Sequence, residues 1–192
     1  YDGPGAVLIE DGRIAEVVKG QATHRPEGVQ IIDADGPCLA PGLIDIRVKT
    51  GEPGAEPKET LKSASLAAAA GGVTTIVVQP DTDPAVDDPA MVDFIQRRGA
   101  ALNLVNVRAA GAATKALDGQ RMAEIGLMDE AGALYFTDGD KVVVNSRTLQ
   151  RVMSYAAAFN ALIACRPADP WLTEGSVAAS GELATRLGLP GS

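Results

Sequence analysis

The feature that most constrains this chain is the stretch 40–83, APGLIDIRVKTGEPGAEPKETLKSASLAAAAGGVTTIVVQPDTD. It reads as an apolar strand over 43–48, a Gly/Pro-rich loop over 50–57, an alanine-rich helix over 58–70 and a second strand over 73–78. Alanine is the best helix former, and Gly71-Gly72 supplies the stop that glycine gives just past a helix. The second strand is almost continuously apolar and β-branched, as expected of a strand buried on both faces. Strand, helix and strand in this order form a βαβ unit, which requires two parallel strands with a right-handed crossover.

The rest of the chain repeats this alternation. Loop 81–89 leads to a helix over 90–98, a strand over 102–108 and a helix over 119–130 carrying Met122, Ile125 and Met128 at core spacing. Then come a strand over 132–137, a helix over 148–159, a strand over 162–165 and a last helix over 181–187. Five strands alternate with helices, and no GxGxxG or GxxxxGKS phosphate loop follows any of them. The pattern predicts an α/β chain, the N-terminal part of a (β/α)8 TIM-type barrel. Before it, 5–9 and 13–18 read as strands of a hairpin turned by Asp11-Gly12. Residues 30–34 read as a third strand with Asp35-Gly36-Pro37 as its exit. The expected division is a β segment over 1–38 and a barrel segment over 39–192. The chain opens without Met and stops at Gly-Leu-Pro-Gly-Ser, so an incomplete fragment is expected.

Composition narrows the function classes. Aromatic residues make up only 4% of the chain, so the core is built from Ala, Val, Leu and Ile. The net charge of −8 argues against a nucleic-acid surface, which wants clustered Lys and Arg. No apolar run approaches the ~18 residues of a membrane span, and no signal peptide opens the chain. Cys38 and Cys165 lie far apart without a CxxC pattern, so neither a disulfide framework nor a zinc knuckle is indicated. A reducing cytoplasm is the expected location, with no membrane partner.

The wording of the chain resembles the dihydroorotases of the amidohydrolase superfamily. The resemblance rests on Pro41-Gly42-Leu43-Ile44-Asp45, Glu52-Pro53-Gly54, Lys58-Glu59-Thr60, the run from Ala67 through Gly71-Gly72 to Val73-Thr74-Thr75, and Pro80-x-Thr82-x-Pro84. The tail after the fifth strand fits as well, with Gly181-Glu182 and Leu187-Gly188-Leu189. It implies a (β/α)8 barrel beside a small β-sandwich begun by the first strands. It also implies hydrolysis of a cyclic amide by zinc-bound water, whose pKa zinc lowers to about 7.

The chemistry that this resemblance implies is replaced at position after position. The family's His-x-His at the end of the first barrel strand is Arg47 and Lys49 here, alternate residues pointing the same way. The acidic ligand after the fourth strand corresponds to Gly139 in Asp138-Gly139-Asp140, with Asp138 or Asp140 available through a change of register. The His after the fifth strand is Arg166, the Arg before Glu-Pro-Gly is Gly51, and the Asn of the Pro-Asn-Thr motif is Asp81. Zinc wants neutral imidazoles and carboxylates. The sequence therefore predicts no catalytic residue, no metal ligand and no cofactor in this chain. The only histidine, His24, falls in the predicted sandwich loop and reads as solvated.

Two physical readings of the replacements stay open. Arg47, Lys49 and Arg166 are neutralised by Asp81, Asp138 and Glu52, so that ion pairs hold the barrel mouth together. Alternatively the cations grip a carboxylate or phosphate without a metal. Three functions follow: a non-catalytic dihydroorotase homologue supporting aspartate transcarbamoylase, the role of some metal-ligand-lacking relatives; an active cyclic amidohydrolase with a rebuilt metal site; or a small-anion-binding module. The resemblance also implies association into homo-oligomers.

Overall fold

The computed structural model describes residues 2–20, 27–33, 36 and 38–192. It divides into two compact units, Tyr1–Ala40 and Pro41–Ser192. His24, together with Ala34, Asp35 and Pro37 of the expected third strand and its exit turn, lies outside the described residues.

In the first unit, β1 (Gly5–Glu10) pairs antiparallel with β2 (Arg13–Lys19). Asp11 and Gly12 both take positive φ, at 49° and 72°, which a two-residue hairpin turn of matching twist requires. The expected third strand is not seen: residues 30–33 lie outside any strand, and Ile32 is 85% exposed. An apolar run gains strand structure from cross-strand neighbours more than from its own propensity. The hairpin alone does not make the expected sandwich.

The second unit is built on a parallel sheet. β3 (Leu43–Val48), β4 (Val73–Val78) and β5 (Asn106–Ala109) lie side by side in chain order. Two further segments continue the sheet as single bridges, Gly111 with Phe136 and Phe136 with Ile163, both parallel. Backbone bonds from Gly111 N to Tyr135 O and from Phe136 N to Leu162 O, both 2.9 Å, join them. Five parallel segments therefore follow the order of the sequence, although the expected strands over 132–137 and 162–165 are reduced to these bridges.

Helices cross between the segments. α1 (Leu61–Ala70) starts at Thr60, whose hydroxyl accepts from Ser63 N while Ser63 Oγ receives Thr60 N, a reciprocal cap. α2 (Pro89–Leu102) is capped by Asp88, has Pro89 in its first turn and ends at Asn103 in the left-handed region. It thus runs into the start of the strand expected over 102–108, and β5 begins only at Asn106. α3 (Ile125–Glu130) is shorter than the helix expected over 119–130. The Asp118 carboxylate accepts from Gln120 N and Arg121 N, and Thr114 bridges Met122, so these residues form a tight loop instead. Met122 is consequently exposed, whereas Ile125 and Met128 are fully buried. α4 (Ser146–Ala156) and α5 (Glu182–Leu187) follow.

The core lies between sheet and helices, with Leu61, Ile76, Val78, Val92, Ile95, Met128, Phe136 and Val152 all essentially inaccessible. Along β4, Ile76 and Val78 enter this layer while Val77 between them faces the other way, the alternation of a strand. Among the described residues no helix is long and apolar enough to cross a membrane.

Candidate functional site

The C-terminal ends of the parallel segments carry the charges read from the sequence. Arg47 and Lys49, two residues apart at the end of β3, both reach the Asp140 carboxylate, Arg47 on Oδ1 and Lys49 on Oδ2. Lys49 Nζ also lies 2.8 Å from Asp81 Oδ2, on the loop that follows β4. Arg166, after the fifth segment, donates to the backbone carbonyl of Asp140 at 3.2 Å. Asp140 thus ties its own loop to the ends of β3 and of the fifth segment, and Lys49 joins the end of β4 to them through Asp81. Hydrogen bonds and charge from Lys49, aided by Arg47, hold the Asp140 carboxyl below its ordinary pKa, and Asp140 with Asp81 raises the Lys49 ammonium.

A tight turn decides which aspartate joins this network. Gly139 sits at φ 64°, Lys141 N bonds Asp138 O at 3.1 Å, and Gly139 N bonds Thr137 Oγ1 at 3.1 Å. The turn sends Asp140 toward the cations and leaves Asp138 buried at 4% exposure. Asp138 accepts from Thr114 N at 2.9 Å and from Thr114 Oγ1 at 2.5 Å. Burial outweighs these donors and pushes its carboxyl up.

The partners expected from sequence are therefore corrected in part. Asp81 pairs with Lys49 as the sequence leads one to expect, but the main counter-charge is Asp140, which the sequence offers only as an alternative metal ligand. Asp138 faces Thr114. Glu52 is also buried and turned away, accepting from Leu61 N at the start of α1 and from Arg98 Nε, each at 2.8 Å. A carboxylate at a helix N-terminus with a guanidinium beside it is well placed electrostatically. Gly51 carries no charge to the mouth. Its N–H bonds Glu59 O at 2.8 Å, and a Cβ there would run into Ala55 O, so this glycine permits a close backbone approach.

Sequence reasoning missed a second network. Tyr135 Oη donates to Ile46 O at 2.5 Å and accepts from Gln79 Nε2 at 2.6 Å, linking the fourth segment to β3 and to the end of β4. Gln79 is 2% exposed, and burial raises the Tyr135 hydroxyl. The available signal was a pair of polar-tipped residues, Gln79 and Tyr135, inside otherwise apolar strand runs.

An open cavity of about 460 Å³ adjoins the charge network, lined by Asp81, Asp83, Asp87, Ala116, Leu117 and Lys141 among others. Its carboxylates outnumber its one ammonium three to one, a poor match for an anionic substrate. The donor set at the strand ends does not fit a divalent metal either. An ammonium and a guanidinium occupy the side-chain positions from which the family resemblance expects zinc to be held, and their carboxylate partners are already engaged. Among the described residues no three His, Cys, Asp or Glu side chains converge as a metal site.

Parallel segments in chain order, helices between them and charged side chains at the segment ends make a mixed α/β unit of the kind from which (β/α) barrels are built. Comparison with known proteins gives the family. The profile described as dihydro-orotase-like matches residues 36–192. Over 184 residues the chain is 38% identical to a protein named dihydroorotase from Sulfurihydrogenibium sp. (strain YO3AOP1), covering 96% of this chain and 43% of the relative. It is 37% identical over 187 residues to a dihydroorotase from Mycobacterium tuberculosis (strain ATCC 25618 / H37Rv), again 96% of this chain and 43% of that one. Among solved structures it resembles the L-hydantoinase (dihydropyrimidinase) from Arthrobacter aurescens, with a TM-score of 0.68 and 25% identity over 83% of this chain and 36% of the other. The chain belongs to the dihydro-orotase-like family of the amidohydrolase superfamily, and it spans less than half the length of these relatives.

Proposed function

We propose that this chain is part of a dihydroorotase-like protein of pyrimidine biosynthesis that does not open or close the dihydroorotate ring. In this reading it is kept for its surfaces and supports the assembly of aspartate transcarbamoylase in the cytoplasm. The observation that carries it is the Asp140 network: two cations stand where metal ligands are expected, and their charge is compensated inside the chain. Cations there repel Zn²⁺ at close range, and without metal-bound hydroxide the ring amide has no nucleophile at neutral pH. The acidic wall of the neighbouring cavity and the replacement of the substrate-binding Arg and Asn by Gly51 and Asp81 add to this reading.

The test uses the full-length protein, expressed with added zinc and dialysed. The expected result is less than about a tenth of an equivalent of zinc per chain, against the one or two that catalytic sites of this type hold. No ring-opening of dihydroorotate is expected, and aspartate transcarbamoylase should co-purify. Stoichiometric zinc with turnover would overturn the proposal in favour of a working cyclic amidohydrolase, the reading favoured by 38% identity to a protein named dihydroorotase. A transcarbamoylase fully active and assembled without this protein would remove the partner.

A further inference from the structure

We infer that the exposed face of α3 and α4 is the surface through which two copies of this chain form a two-fold dimer, centred on Tyr155 and Phe159. None of the residues involved belongs to the Asp140 network, so the inference stands whether or not the protein opens a ring.

A glycine sets the centre of this surface. Gly126 of α3 has no side chain, and the Tyr155 and Phe159 rings take the space one would fill: a Cβ there would lie 2.7 Å from Phe159 Cζ and 3.1 Å from Tyr155 Oη. Tyr155 comes from the end of α4, and Phe159 from the 3-10 turn Ala157–Phe159 that continues it. Their ring centroids are 5.1 Å apart, edge to face, the arrangement that aromatic pairs prefer. The pair is therefore held in one place at the seam of two helices. Yet Tyr155 is 42% and Phe159 36% exposed, and Leu127, next to Gly126 on α3, is 53% exposed. Single apolar residues on a surface are ordinary. An aromatic pair placed beside an exposed leucine, in a chain with so few aromatics, has the make-up of the centre of a protein contact.

Charge decides what covers it. With its cap, α3 carries Glu124, Asp129 and Glu130 and no base, whereas α4 carries Arg147 and Arg151 and no acid. Arg147, Arg151 and Tyr155 recur at intervals of four, so they share one stripe of α4 that ends at the aromatic pair. Among the described residues none of these five charges forms an ion pair, with one another or with any other side chain. An acidic helix beside a basic one, both unpaired within the chain, is complementary to the same face turned about a two-fold axis. There α3 of each copy meets α4 of the other. The net charge of −8 makes copies repel at a distance, so a stable contact between them has to set opposite signs against each other. This face does so. A partner surface of one sign would leave either the acids or the arginines facing their own kind.

The experiment is sedimentation equilibrium of the full-length protein up to about 100 μM, with the wild type expected to be dimeric at micromolar concentration. Arg151→Glu and Glu130→Arg should each raise the dissociation constant at least about tenfold, because each sets like charges against each other twice. Mixed in equal amounts, these two variants should recover the dimer as a heterodimer, since the reversed charge of one then meets the reversed charge of the other. Leu127→Asp, at an exposed position of α3, should weaken the dimer as well and recover in neither mixture. A wild type that stays monomeric at about 100 μM overturns the inference, and so does a dimer that neither charge reversal weakens. Weakened variants that fail to recover on mixing overturn it too. All three outcomes leave the functional reading untouched, because that reading rests on zinc content and ring opening. A dimer that behaves as expected but retains stoichiometric zinc and turns over dihydroorotate overturns the functional reading alone.

Discussion

Asp140 carries two ion pairs, and its pH behaviour can be worked out from the two groups it holds. Its folded pKa is below the ordinary 3.8, so its contribution is present above that value and is lost as pH falls through the folded one. Lys49 is raised above 10.5, so its contribution is present below that value and is lost as pH rises through the folded one. The stability difference between wild type and Asp140→Asn should therefore be largest between the two ordinary values. It should shrink in 1 M salt, because Arg47, Lys49 and Asp140 are about half exposed and screening acts on them. Thermal melts across pH at low and high salt check this, and a difference indifferent to salt would contradict it. Asp138 behaves in the opposite sense, since burial raises its carboxyl and its anionic form is the disfavoured one. Its structural task is to accept from Thr114, which is fully buried. Asp138→Ala should cost about 1–3 kcal/mol by stranding those donors, measured by denaturant unfolding. Asp138→Asn, which keeps an acceptor oxygen, should cost less.

Among elements, α2 and β5 meet through a glycine. A Cβ on Gly99 would fall inside the side chain of Val107, so the helix lies on the strand at that point without a side chain between them. Gly99→Ala would gain roughly 1 kcal/mol in helix propensity, but overpacking of a tight contact typically costs about 1–3 kcal/mol. Net destabilisation is expected in urea titrations, and a stabilised variant would show that the helix can retreat from the strand. Phe136 does a larger job. It is fully buried, it bridges to Gly111 on one side and Ile163 on the other, and its ring fills the space over Gly111. Phe136→Ala should cost about 3–5 kcal/mol. Amide exchange should rise first at Ala164 and Leu134, whose N–H groups bond across these single bridges.

At the scale of the whole molecule, the parallel segments bring into one place residues that lie far apart in the chain, so the charged mouth exists only when the sheet is assembled. The second unit also presents apolar sheet surface: Leu43, Ile44 and Ile46 of β3 are each more than 60% exposed. Contiguous apolar strand surface is a template for association. These 192 residues expressed alone should therefore self-associate at micromolar concentration and bind a hydrophobic dye. Light scattering and ANS fluorescence would show this, and a monodisperse, dye-silent preparation would contradict it.

The sequence by itself determined the order of strands and helices, because the hydrophobic period and the stop signals are local. The apolar run of β4, the Gly71-Gly72 stop and the Asp11-Gly12 turn each state their structure in a few residues. The resemblance of its motifs also led to the expectation that Arg47, Lys49 and Arg166 stand where the family has imidazoles, and the structure sets all three beside Asp140. Local signals misplaced the start of β5 and overextended α3, where Asn103 and Asp118 use side-chain and left-handed backbone geometry that periodicity does not register. The partners of the cations were decided by tertiary structure alone. Asp138 and Asp140 differ in the sequence by one glycine between them, yet the turn at Gly139 buries one against Thr114 and hands the other to Arg47 and Lys49. Which charge meets which depends on distances across the sheet, between residues more than 90 positions apart in the chain, and no local pattern encodes those distances.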